Sequence, residues 1–185
     1  MSLGVTKSFV TSGFHSLTIG DVLNEHRDGV VAASAQWLLT AFPAPADPFA
    51  AVSAQWQARE AVAVGARLRY PTDEDDALLE LCGPGGSERL DWLTGADLTA
   101  HPVEAAPWRT WVDEVVVSWA AVLLGDPALA VAAAAAAGEP LDGPLVSPSA
   151  RDLAAAALLR HPDLLAPVAD LHRAELLRAL TARTA

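Results

Sequence analysis

The sequence predicts an all-α fold, an irregular helical bundle of about six to eight helices. Two observations carry this. Alanine-heavy apolar segments are opened by capping oxygens placed before proline, at Asp47-Pro48, Asp126-Pro127 and Ser147-Pro148, and are followed by Gly83, Gly95, Gly125 and Gly138, suited to left-handed C-terminal caps. The larger apolar residues between these marks recur at the helical period.

Residues 1–17 lack periodicity and read as an N-terminal arm. Thr18 and Asp21 form a capping pair for a helix running to about Ala41, with Ile19, Leu23, Val30, Ala33 and Trp37 on one face. Gly29 lies inside that helix at a cost of about 1 kcal/mol relative to Ala, which implies close packing or a kink. Asp47-Pro48 opens a second helix whose apolar stripe is Phe49, Val52, Trp56 and Ala63, with Arg59 on its edge.

Between Val62 and Cys82 two local readings compete. Ala66, Leu68 and Tyr70 alternate with arginines, which is a strand period and would make a short β-hairpin near residues 62–82. Thr72 followed by four acids is a helix start instead, because carboxylates in a first turn complement the positive end of the helix dipole. The helix is preferred, closing at Gly83.

Gly83 to Gly86 is a turn, and Ser87 caps a short helix through Leu93. Pro107 opens the most hydrophobic helix, with Trp108, Val112, Val115, Trp119, Val122 and Leu123 on a broad face. Asp126-Pro127 begins an alanine helix ended by Gly138. The proline-bearing stretch Gly138 to Ser147 reads as a linker. Ser149 with Asp152 caps the next helix, Pro162 restarts the chain, and Pro167 restarts it again for a final helix to about Thr181. Domain organisation follows: an arm at 1–17, a main helical bundle at 18–138, and C-terminal helices at 139–185 packing on the same domain.

The chain of 185 residues carries a net charge of −11 and a single lysine, Lys7. No cluster of Lys and Arg offers the counterion release that nucleic acid or anionic lipid demands, so neither is an expected partner. The lone lysine excludes a P-loop, whose Gly-Lys-Ser/Thr it cannot supply. The one cysteine, Cys82, rules out an internal disulfide, and no secretory h-region follows Met1, so a cytoplasmic protein is expected. The longest apolar runs are too short for a bilayer core of about 30 Å.

Several residues are candidates for chemistry. His26 and His172 lie on apolar faces of different helices, and in a bundle core they would bind a metal or shuttle a proton, with Glu25 or Glu175 completing the site. No Glu-x-x-His or His-Glu-x-x-His spacing supports them. Asp73 to Asp76 fail the calcium-loop pattern, since Leu78 and Pro84 occupy its glycine and glutamate positions. Cys82, at a helix C-terminus, faces the pole that disfavours a thiolate. No serine-nucleophile signature occurs. Among six tryptophans, Trp37, Trp56, Trp108 and Trp119 sit on apolar stripes and are expected in the core, whereas an exposed Trp111 beside Trp108 would mark a partner groove.

With no catalytic motif and no cofactor signature, the expected function is a non-catalytic helical interaction or accessory protein. It would bind a protein partner, or a second copy of itself, through an apolar helical face. The alternative is a small helical-bundle enzyme or ligand- or metal-binding protein using His26 and His172.

Overall fold

Five helices of this chain start on a cap supplied by a local side chain. In the computed structural model, which describes residues 25–95, 106–139 and 142–184, helix α1 spans Glu25–Ala41 and α2 spans Pro48–Arg69. The Asp47 carboxylate accepts the Ala50 amide and caps α2. Helix α3 (Asp73–Cys82) opens on a capping box in which Thr72 and Asp75 satisfy each other's backbone amides. Helix α4 (Glu88–Thr94) closes at Gly95 in the left-handed conformation. A 3-10 turn at Pro107–Trp111 precedes α5 (Glu114–Gly125), α6 (Pro127–Ala137), α7 (Ala150–Ala155), α8 (Pro162–Ala169) and α9 (Arg173–Thr184). Ser149 and Asp152 form the second capping box, on α7.

The fold is therefore all-α, with no strand among the described residues. Residues 62–82 form the end of α2 and all of α3, so the hairpin alternative is set aside. Ala66 and Leu68 lie 200° apart on the wheel, and both are buried. The last turns of α2 are enclosed on two sides, which imitates a strand's alternation. The capping pair Thr18 and Asp21 falls outside the described residues.

Helix α5 is the axle of the bundle. Every residue from Val116 to Leu124 is buried. Helices α2, α8 and α6 pack around it, and α1 and α9 complete the ring. Gly65 of α2 makes a close approach, since a Cβ there would lie 3.3 Å from the Val116 carbonyl oxygen. No helix among the described residues is long and apolar enough to cross a membrane.

Four sequence expectations are corrected. The helix expected from Pro107 breaks at Val112, because buried Asp113 turns its carboxylate to the Val116 amide and becomes the N-cap of α5. Tyr70 Oη donates to the same carboxylate, and Ser34 Oγ accepts the Asp113 amide. Gly125 is the last residue of α5 and not a left-handed cap; Asp126 both ends α5 and caps α6. Pro167 lies inside α8, and the break falls at residues 170–172. Ser118 explains that position: its hydroxyl donates to the Ala169 carbonyl and accepts the His172 amide, satisfying backbone groups that the break exposes. Finally, residues 142–147 of the stretch read as a linker are docked. Leu145 is buried, and Arg160 donates to the carbonyls of Pro144, Leu145 and Leu124 and to the Gln57 amide oxygen.

Candidate docking groove

Helix α2 has two faces, and the smaller side chains take the inside. Ala54, Ala58, Ala61, Val62, Gly65 and Ala66 are buried, along with Ser53 and Gln57. The opposite stripe is the one periodicity picks out for the core. Phe49, Val52 and Trp56 are instead 42 %, 63 % and 57 % exposed, and only Ala63 is partly buried. The physical reason is volume. Helix α5 already presents Val116 and Trp119 at this contact, so α2 fits only with its alanine and glycine side inward.

Between this outer stripe and α1 runs a groove of about 810 Å³. Val52, Trp56, Arg59 and Ala63 form one wall; Arg27, Asp28 and Val31 form the other. Over the described residues its lining carries Arg27, Arg59 and Arg67 against Asp28, Glu60 and Glu139. Arg67 is paired with Glu139. Glu60 accepts the Leu145 amide at 2.8 Å. Burial nevertheless raises the Glu60 pKa above the usual carboxylate value, with the Asp142 charge adding to the rise and the Leu145 hydrogen bond opposing it. Arg59 is exposed and has no hydrogen bond or ion pair within the chain's described residues. At one end of the stripe, the Arg151 guanidinium lies 3.5 Å from the centre of the Phe49 ring.

The two candidate histidines make no contact with each other. The His26 ring stacks on Trp111 at 5.9 Å between centroids. His172 Nε2 lies 2.8 Å from Glu114 and Nδ1 lies 3.2 Å from Glu175. Glu175 thus lies beside His172, whereas the Glu25 side chain lies outside the described residues. Among those residues, no group of three or more His, Cys, Asp or Glu side chains is arranged to hold a metal ion. Trp108 and Trp111 are both half-buried and line a smaller apolar hollow of about 310 Å³ over Gly29, Ala32, Ala33 and Gln36. Gly29 therefore marks close packing: a Cβ there would touch the Trp111 ring at 3.4 Å. Trp37 and Trp119 are buried as expected, each with its indole N–H satisfied, by Asp91 and by the His172 carbonyl.

Sequence reasoning found the stripe of α2 and placed it on the wrong side. The signal for the stripe lay in the alanines of α2, which at helical spacing permit a closer helix contact than large residues do. Trp92 is 79 % exposed on α4. No protein family, curated protein sequence or solved structure matches the chain.

Proposed function

We propose that this chain is a non-catalytic interaction protein that docks on another protein chain through the outer face of α2, in a reducing, cytoplasmic setting. The observation that supports this is the exposure of Val52 and Trp56 side by side on one helical face, beside a groove large enough to receive side chains. A tryptophan left more than half exposed beside a valine costs solvation that a partner recovers, and indoles dominate binding hot spots. The single, free cysteine suits a reducing compartment, and the charge of −11 opposes binding to nucleic acid. The test is a photoreactive phenylalanine analogue placed at Trp56 and, as a control, at exposed Leu177 on α9. Protein adducts at position 56 that are missing at position 177 are expected. Without a position-specific adduct, the reading fails.

A further inference from the structure

We propose that the occupant of this face is a second copy of the chain, with α2 lying antiparallel to α2 of its partner about a two-fold axis midway between Trp56 and Arg59. The proposal rests on the docking reading above and names its partner. Three observations carry it. Charge comes first. Two copies each carrying −11 repel over most of their surfaces, while the groove lining balances three arginines against three carboxylates. It is a face where a like-charged copy approaches without penalty. Spacing comes second. In this register Val52 faces the partner's Ala63 and Trp56 faces the partner's Arg59, so apolar meets apolar and indole meets guanidinium, twice by symmetry. Arg59, which has no partner within the described residues, gains one. Third, the neighbouring registers are worse. An axis through Arg59 sets two guanidinium groups against each other. An axis through Trp56 sets Val52 against the partner's Glu60 and leaves Arg59 facing the position of buried Ser53.

The test uses the full chain in a Cys82→Ser background, which removes the exposed native thiol. Sedimentation velocity should show a monomer that becomes a dimer as concentration rises. Arg59→Glu should weaken that dimer at least about tenfold, the loss of two cation–π contacts and the gain of two carboxylates against indole faces. A short bis-maleimide should join Val52→Cys protein to Ala63→Cys protein when the two are mixed. It should leave Val52→Cys protein alone unjoined, because like positions then lie about 16 Å apart along the helices. A strict monomer, a dimer indifferent to Arg59→Glu, or Val52→Cys joining itself as readily as Ala63→Cys would each overturn the proposal. A strict monomer that still gives position-56 adducts with a different protein overturns self-pairing and leaves the docking reading standing; no specific adduct at all removes both.

Discussion

Gly143 sits against the carboxylate of Glu60 so closely that no Cβ fits between them. The same carboxylate accepts the Leu145 amide, so the bare backbone of one residue admits the acceptor that anchors its neighbour.

Gly143→Ala should therefore expel the Glu60 carboxylate and strand the Leu145 amide, at about 1–2 kcal/mol. The cost should shrink in a Glu60→Ala background, where nothing remains to be expelled. Urea denaturation of the two single variants and the double variant measures that coupling. Equal costs in both backgrounds would show that the contact carries no energy.

Tyr70→Phe should cost about 1–2 kcal/mol, because it leaves one oxygen of buried Asp113 without its donor. Burial, and then the Asp113 charge, raise the Tyr70 pKa well above the usual phenol value. A raised folded value means that the stabilisation is complete below the ordinary value of 10.0 and is lost as pH climbs through the folded one. The phenylalanine variant should accordingly show a flatter alkaline limb in a plot of unfolding free energy against pH.

Arg109→Ala should be the most damaging single change on the α1 side. Asp91 is buried, and it receives the Arg109 guanidinium, the Trp37 indole N–H and the Ser87 hydroxyl. Removing the cation strands a buried carboxylate, at about 3 kcal/mol or more. Adding Asp91→Asn should recover part of that loss, since an amide keeps an acceptor for Trp37 and carries no charge. A double variant as unstable as Arg109→Ala would contradict this.

Ser149→Ala removes the hydroxyl from the capping box of α7 and should cost about 1 kcal/mol. Hydrogen bonds from Ser149, and then from Ser53, hold the Asp152 carboxyl below its ordinary value of 3.8. With the folded value depressed, the stabilisation is complete above the ordinary value and disappears as pH falls through the lower one. The gap between wild type and variant should therefore be wide at neutral pH and narrow in strong acid, read by chemical denaturation at each.

What the sequence disclosed divides along local and distant causes. The caps at Asp47, Thr72, Asp126 and Ser149 were readable because each donor lies within three residues of its acceptor. The break before α5 was not: the Asp113 cap on Val116 is equally local, but what holds Asp113 in the interior is partners 43 and 79 residues away. Periodicity found the stripe Phe49, Val52 and Trp56, yet it has no means of ranking two opposed faces without knowing the neighbour. Only the bulk already present on α5 decides that. The same limit hid the candidate site, whose key residues were visible and assigned to the interior.

The near touch of Gly65 on the Val116 carbonyl has a mechanical consequence. Two rods separated by long side chains can slip or roll as those chains change rotamer; here there is no such cushion. A load applied to the solvent side of α2 is passed to the centre of the molecule stiffly, as through a bolted joint.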